Sequence, residues 1–209
     1  MSAPIRILGR PGSINVRKAL WTADEAGVSY AHEPQWGTAE TPAGSAEFRA
    51  INPNGLVPAL IDENGVLWES NTICRYLAAR AGREDLLPPA HADRARVEMW
   101  MDWQATELND AWRYAFMALV RRDPNHADSI SVERSARRWN DMMRLLDRRL
   151  EETGAYVAGG AFTLADIVVG LSAHRWRRTP IDHAGLPAVR AWLARLDARE
   201  AFRRWTIDP

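Results

Sequence analysis

Two polar side chains stand two residues apart where the first predicted helix begins. Ser13 carries a hydroxyl and Asn15 carries an amide, and both come after the turn sequence Gly9-Arg10-Pro11-Gly12. An anion placed here, such as a thiolate, would accept hydrogen bonds from them and would lie near the partial positive charge of the helix. Such surroundings lower the pKa of a thiol from about 8.5 into the range of about 3.5–7.5. The alternative is that one of these residues, Asn15 in particular, serves only as the N-cap of the helix.

Pro58 interrupts an apolar run over residues 56–61 that otherwise predicts a buried strand. Because proline cannot donate to a sheet ladder, it is normally confined to an edge, a bulge or the first residue of a strand. Position alone favours an edge strand with an ordinary trans proline. A cis bond between Val57 and Pro58 is the other interpretation. It would turn the backbone of Val57 outward, so that its N–H and C=O could pair with something other than the sheet.

The first 80 or so residues have the pattern of a small α/β domain, in the order strand, helix, strand, loop, hairpin, helix. A helix from about Asn15 to Gly27 comes after the first strand, and residues 34–46 are rich in Gly, Pro and Thr, which predicts a loop. A second helix is expected from Ser70 to about Ala81. The predicted strands are 5–8, 28–33, 56–61 and 66–68, the last two joined by the hairpin turn Asp62-Glu63-Asn64-Gly65.

The remainder of the chain has no strand pattern and predicts a helical bundle. Apolar residues recur at intervals of three and four, as they do on one face of a helix. Thr163 and Asp166 have the spacing of a capping box, and we interpret both as structural. The predicted helices are 92–121, 131–152, 163–176 and 187–204. These patterns divide the chain into an α/β domain at 1–81, a linker at 82–91 and an all-helical domain at 92–209.

Composition argues against several other classes of protein. Lys plus Arg and Asp plus Glu balance at 27 each, so no excess charge favours nucleic acid or an anionic membrane as partner. The single cysteine, Cys74, allows no internal disulfide and is expected in the core, and the five histidines lack metal-ligand spacing. No apolar run reaches the roughly 18 residues of a membrane span, and we see no signal peptide. We therefore expect a cytoplasmic protein that binds no metal, nucleic acid or membrane.

Two motifs in the first domain resemble those of the glutathione transferase superfamily, particularly its bacterial and theta-like members. They are N-P-N-G-L-V-P-A-L at 52–60 and L-W-E-S-N-T-I-C-R-Y-L at 67–77. The resemblance covers nearly the whole chain and implies a thioredoxin-like N-terminal domain followed by an all-α, helical-bundle C-terminal domain. It further implies a glutathione S-transferase, which conjugates the thiolate of its co-substrate glutathione to small electrophiles. It also implies a homodimer.

The resemblance implies roles for most of the candidate residues. The Val57–Pro58 bond would be cis, and the backbone of Val57 would pair with the cysteinyl part of glutathione. The γ-glutamyl carboxylate would lie at Glu69 and Ser70, where a helix start favours an anion; the alternative is that Ser70 only caps its helix. Ser13 matches the serine that stabilises the thiolate in Ser-type relatives. Some bacterial relatives rely instead on an asparagine equivalent to Asn15.

One part of the expected glutathione site is missing from the sequence. Many relatives hold the glycyl carboxylate with a lysine in the loop before the cis-proline strand, but residues 34–51 contain no lysine. The local candidates are Gln35, Trp36, Thr38 and Arg49. We include Trp36 among the predicted glutathione-binding residues.

The resemblance also implies that the long helix after the linker lines the electrophile pocket. Asn109, Trp112, Arg113 and Phe116 have the spacing i, i+3, i+4, i+7 and are predicted to share one face. An aromatic stripe at this spacing is also typical of a helix face that packs into the protein core. These residues could therefore belong to the core or line the pocket.

Two other functions remain open at this point. The protein could be a glutathione-dependent disulfide or peroxide reductase, which relatives of the Asn15 type make plausible. It could also be a non-catalytic binding protein with the same fold. The intact Val57-Pro58 and Glu69-Ser70 pairs count against the latter, because a pure interaction module does not need them.

Overall fold

The computed structural model describes residues 4–206, and the chain divides into two compact units between Pro89 and Ala90. The first unit contains a four-stranded sheet and three helices, and the second is helical. This architecture confirms the predicted thioredoxin-like domain followed by a helical domain.

The N-terminal unit is built on a mixed sheet with the strand order β2-β1-β3-β4. β1 is parallel to β2 and antiparallel to β3, and β3 is antiparallel to β4. The strands are β1 Ile5–Leu8, β2 Tyr30–Glu33, β3 Ala59–Asp62 and β4 Gly65–Trp68, and the helices are α1 Ile14–Ala26, α2 Ala46–Ile51 and α3 Ser70–Arg80.

The register of the sheet brings four chain segments to one edge. Leu8, the last residue of β1, pairs with Ala59, the first residue of β3, and also with Glu33, the last residue of β2. Ala59 in turn pairs with Trp68, the last residue of β4. The segments that come after β1, β2 and β4 therefore lie at the same edge as the segment that precedes β3.

Two strand starts in this unit differ from the prediction by two or more residues, and one helix was not predicted. β2 begins at Tyr30 rather than at residue 28, and β3 begins at Ala59, so residues 56–58 are not part of a strand. Pro58 has no N–H to offer to the ladder, which explains why pairing starts after it. The prediction also missed α2, a six-residue helix whose N-cap, Ser45, accepts a hydrogen bond from the N–H of Phe48.

The helical unit contains six α-helices within residues 90–206. They are α4 His91–Trp103, α5 Asn109–Leu119, α6 Ser129–Thr153, α7 Leu164–Arg178, α8 Pro187–Asp197 and α9 Glu200–Trp205. No helix among the described residues is both long enough and apolar enough to cross a membrane.

The predicted helix 92–121 is helical throughout His91–Leu119, but a π-helical turn, Gln104–Leu108, divides it into α4 and α5. A π turn adds one residue to the helical repeat and rotates the next helix about its axis. Gln104 is fully buried there, and its amide donates to Ser172 Oγ at 2.9 Å and to Asn109 Oδ1 at 3.1 Å.

The predicted helix 187–204 is also two helices, α8 and α9, because the backbone of Arg199 is extended (φ −84°, ψ 130°). The guanidinium carbon of Arg199 lies 3.7 Å from the centre of the Phe162 ring. This cation–π contact accompanies the break between the two helices.

The predicted capping box at the start of α7 is present. Asp166 Oδ2 accepts from the N–H of Thr163 at 2.9 Å and from its hydroxyl at 3.2 Å, while Oδ1 accepts from Val157 N–H and Trp192 Nε1. Burial nevertheless raises the pKa of the Asp166 carboxyl to about 6. Thr163 and Asp166 thus link the start of α7 to the preceding loop and to α8, which confirms their structural interpretation.

Candidate active site

The edge of the sheet described above is closely packed around the side chain of Val57. A Cβ atom on Gly9 would lie 2.5 Å from Val16 Cγ2 and 2.9 Å from Val57 Cβ, and a Cβ on Gly37 would lie 3.3 Å from Val57 Cγ1. Both glycines also have positive φ, 145° and 83°. Glycine at 9 is therefore required by space and by backbone, and it lets the loop after β1 approach the segment before β3.

The peptide bond between Val57 and Pro58 is cis, as the resemblance implies. Pro58 is buried, while Val57 is half-buried. Within residues 4–206, neither the N–H nor the C=O of Val57 takes part in a hydrogen bond. The backbone of Val57 is thus available to an extended ligand.

Ser13 is the N-cap of α1, but its side chain does not make the capping hydrogen bond. Its backbone is fixed on both sides, since its N–H donates to Arg10 O and its C=O accepts from Arg17 N–H, both at 3.1 Å. The side chain is half-buried, and among the described residues its hydroxyl has no hydrogen-bond partner. The hydroxyl is therefore held in place by the backbone while staying available to a ligand.

Asn15 is the second residue of α1, so the alternative that it serves as N-cap is wrong. It is half-buried, and its side-chain amide has no hydrogen-bond partner within the described part of the chain. The first turn of α1 contains no acidic residue, so no carboxylate offsets the partial positive charge at this helix start.

Glu69 and Ser70 lie at the start of α3, directly after β4, the strand that pairs with β3. Glu69 is exposed and has φ 69° and ψ 110°, a conformation that costs a residue with a side chain of order 1–3 kcal/mol. Ser70 is the buried first residue of the helix. Neither side chain has a hydrogen-bond or ion-pair partner among residues 4–206. Strained residues without local partners are concentrated at functional sites, which favours this pair as a binding feature.

Trp36, which we predicted to bind glutathione, lies in a core cluster with Leu8, Phe48 and Ala59. Its ring centroid is 5.3 Å from that of Phe48, and its indole N–H donates to Glu33 Oε2 at 3.0 Å. The polar atom of the side chain is therefore already used within the protein. Trp36 shapes the loop after β2, and its backbone C=O accepts from Arg10 N–H at 2.8 Å.

Two of the other candidates for the glycyl carboxylate, Thr38 and Arg49, also have side chains that are engaged with the backbone. Arg49 donates from Nε to Gly44 O at 3.2 Å and from Nη1 to Pro53 O at 3.0 Å. The hydroxyl of Thr38 donates to Gln35 O at 2.9 Å. The guanidinium of Arg49 thus holds two loops together.

The residues predicted for the electrophile pocket are split between core and surface. Trp112 and Phe116 are buried with their rings edge-to-face at 5.3 Å, and Trp112 Nε1 donates to Asn109 Oδ1 at 3.1 Å. The guanidinium carbon of Arg175, on α7, lies 4.4 Å and 4.1 Å from the centres of the two rings. Arg113 is exposed, so it does not share their environment.

Cys74 is fully buried, and burial raises the pKa of its thiol to about 11. This matches the predicted core role and leaves no thiolate near neutral pH. Among the described residues, no group of three or more His, Cys, Asp or Glu side chains is arranged to hold a metal ion.

Sequence reasoning missed the two glycines, Gly9 and Gly37, that pack against Val57. It also treated Arg10 as part of a turn, although its side chain is exposed at the same edge. The positions of the glycines in loops were visible, but the close approach that requires them depends on the sheet register.

Each of the two units is matched, in whole or in part, by a model of a known protein family. A model described as the glutathione S-transferase N-terminal domain matches residues 3–79, and one described as the C-terminal domain matches residues 130–195. Glutathione S-transferase GstB of Escherichia coli is 34% identical over 207 residues, covering 98% of this chain and 99% of that protein. The chain belongs to the glutathione S-transferase family.

Solved structures and other relatives refine this placement. The chain aligns with a theta class glutathione S-transferase from Xanthomonas axonopodis pv. citri, solved with glutathione bound, at a TM-score of 0.91 and 38% identity over 99% of each chain. It is also 29% identical over 166 residues to Disulfide-bond oxidoreductase YfcG of Escherichia coli, covering 74% of this chain and 73% of that protein.

Proposed function

We propose that the protein is a glutathione S-transferase that conjugates the thiolate of glutathione to small electrophiles. The observation that carries the proposal is the state of Ser13. Its hydroxyl is fixed at the start of α1 and is not used as a cap, while Val57, whose backbone is unpaired among the described residues, lies at the same edge of the sheet.

Glutathione is held along this edge by groups that match its cysteinyl and γ-glutamyl residues. The N–H and C=O of Val57 pair with the backbone of the cysteinyl residue, in the manner of a short added strand. The hydroxyl and N–H of Ser70 hold the γ-glutamyl carboxylate at the positive end of α3. The carboxylate of Glu69 suits the neighbouring ammonium group of the ligand, since two carboxylates would repel each other.

Ser13 and Asn15 act on the sulfur. The Ser13 hydroxyl donates a hydrogen bond to the thiolate, Asn15 Nδ2 provides a second donor, and the start of α1 adds a favourable electrostatic contribution. The thiol therefore loses its proton to solvent near neutral pH. The sulfur electron pair then forms a bond to the electrophilic carbon, and the leaving group departs with its own bonding pair.

We assign the electrophile pocket to the helical unit, at Asn109, Trp112 and Phe116, on the basis of the resemblance. The exposed Arg113, which was predicted to share their face, is left out of this assignment. The packing of Arg175 on Trp112 and Phe116 supports a rigid wall, because stacked rings and a buried guanidinium restrict one another. We also propose a homodimer and a cytoplasmic location, as the family resemblance implies.

The test is a titration with glutathione near pH 7 that follows the ultraviolet absorbance of the thiolate in wild type, Ser13→Ala and Asn15→Ala. We expect the wild type to bind glutathione as the thiolate, and Ser13→Ala to bind it largely as the thiol. Glutathione bound as a thiol in all three proteins would contradict the assignment of these residues.

A glutathione-dependent disulfide reductase is the second candidate function. It is favoured by the similarity to Disulfide-bond oxidoreductase YfcG and by the unengaged amide of Asn15. The same variants distinguish the two functions when turnover of a chlorodinitrobenzene is compared with reduction of a small disulfide. Disulfide reduction that survives Ser13→Ala but is lost in Asn15→Ala would favour the reductase.

A further inference from the structure

We propose that Arg10 binds the glycyl carboxylate of glutathione, in place of the lysine that is missing from residues 34–51. The proposal rests on the proposed function, because it assigns the third part of the same ligand. It identifies a binding residue in the loop after β1, whereas the sequence led us to search the loop before β3.

The order of the strands determines where the glycyl end lies. The segments at the edge are arranged in the sheet order β2, β1, β3, β4, and Val57 precedes β3. If the γ-glutamyl end lies at Glu69 and Ser70, after β4, an extended tripeptide that pairs with Val57 continues toward the ends of β1 and β2. Those ends carry Arg10 and Gly37.

The loops at this part of the edge contain a single basic residue. Residues 9–13, 34–45 and 52–58 include one Lys or Arg, and it is Arg10. Arg49, the cation nearest to Val57 along the chain, donates to two backbone carbonyls. Arg17 and Lys18, which come next on α1, are almost completely buried. Arg10 is therefore the cation that this edge can offer to a carboxylate.

The side chain of Arg10 is placed for this role. Its backbone N–H donates to Trp36 O, and its Cγ lies 3.8 Å from the position of a Cβ on Gly37, the glycine that also packs against Val57. Its Nη1 lies 3.9 Å from the position of a Cβ on Gly12, next to Ser13. The side chain is exposed, and among residues 4–206 the guanidinium has no hydrogen-bond or ion-pair partner. A carboxylate is a good match for a guanidinium, because two N–H groups can donate to its two oxygens.

The experiment compares glutathione with its glycyl ethyl ester, in which an uncharged ester with an added ethyl group replaces the carboxylate at that end. Dissociation constants are measured by calorimetry for wild type, Arg10→Met, Arg10→Lys and the control Arg96→Met. Arg96 is a suitable control because it is an exposed arginine on α4 that pairs with Asp93. Thiolate absorbance is recorded for the same samples.

We expect the wild type to bind glutathione about tenfold more tightly than the ester, as for the loss of one charge-assisted hydrogen-bonded pair. Arg10→Met should bind both ligands equally, at the affinity of the wild type for the ester. Arg10→Lys should keep part of the preference, and Arg96→Met should keep all of it.

Two results would overturn the proposal, and they are distinguishable from each other. A full preference for glutathione in Arg10→Met would show that another group holds the glycyl carboxylate, while the proposed function would stand if the thiolate signal persists. A wild type that binds neither ligand would overturn both this assignment and the proposed function.

Discussion

Helices α1 and α7 both begin with a hydroxyl residue as N-cap, but they use it differently. The hydroxyl of Ser13 makes no capping hydrogen bond. The hydroxyl of Thr163 donates to Asp166, which also accepts from the Thr163 N–H. The start of α7 is capped by the protein itself, whereas the hydroxyl at the start of α1 has no hydrogen-bond partner among the described residues.

The two helix starts also differ in charge. α7 has Asp166 in its first turn, where a carboxylate offsets the positive end of the helix dipole. α1 has no acidic residue in its first turn. The start of α7 therefore has a stabilising carboxylate, while α1 has none at the point where we propose that the sulfur of glutathione binds.

The largest effect on stability is expected when the capped start of α7 loses its carboxylate. Asp166→Ala should lower the free energy of unfolding by about 3–5 kcal/mol, because the donors from Val157, Thr163 and Trp192 would lose their acceptor in a buried site. Urea unfolding followed by circular dichroism measures this change.

The matched control is Asp128→Ala at the start of α6. Asp128 accepts a capping hydrogen bond from Ser131 N–H at 2.8 Å and is exposed, so its loss should cost about 1 kcal/mol. Equal losses in the two variants would mean that the buried network at Asp166 adds nothing beyond ordinary capping.

At the start of α1 we expect a small change in stability and a large loss of activity. Ser13→Ala should change the free energy of unfolding by less than about 0.5 kcal/mol, because no capping hydrogen bond is lost. The same variant should lower kcat/KM for a chlorodinitrobenzene about a hundredfold, as for the loss of one donor to a reacting anion. Steady-state kinetics and urea unfolding on the same samples separate the two effects.

Ser45→Ala, at the start of α2, provides the matched serine. Its hydroxyl accepts from Phe48 N–H at 3.2 Å, so this variant should lose about 1 kcal/mol of stability. A variant of Ser13 that is as destabilised as the variant of Ser45 would argue that Ser13 is an ordinary cap, and the contrast with α7 would then be lost.

Local sequence patterns were sufficient where the deciding interactions are local. α1 is predictable from its apolar spacing and from Gly27, which ends the helix with φ 68°. The hairpin of β3 and β4 is predictable from the turn at Asp62–Gly65. The π turn at Gln104 could not be predicted in this way, because its buried amide finds Ser172 on α7, 68 residues further along the chain.

The candidate site shows the same limit. Its motifs were visible in the sequence. Val57, Glu69 and Ser70 lie in the two motifs that resemble those of the family, and Ser13 directly follows the turn at residues 9–12. The sequence did not show which polar groups form hydrogen bonds within the protein. Trp36 has its indole N–H committed to Glu33, whereas the guanidinium of Arg10 has no partner among the described residues. Whether a side chain is engaged depends on its neighbours in space, so a residue type alone does not identify a ligand-binding group.

α3 offers a third kind of helix start and the smallest expected effect. Its N-cap, Glu69, has φ 69°, a conformation that glycine adopts without steric cost. Glu69→Gly and Glu69→Ala both remove the carboxylate, so their difference isolates the backbone. We expect the glycine variant to be more stable than the alanine variant by about 1 kcal/mol in urea unfolding, while both bind glutathione more weakly than the wild type. Equal stability would mean that the backbone at Glu69 relaxes once the side chain is shortened, and α3 would then be an ordinary helix start like that of α2.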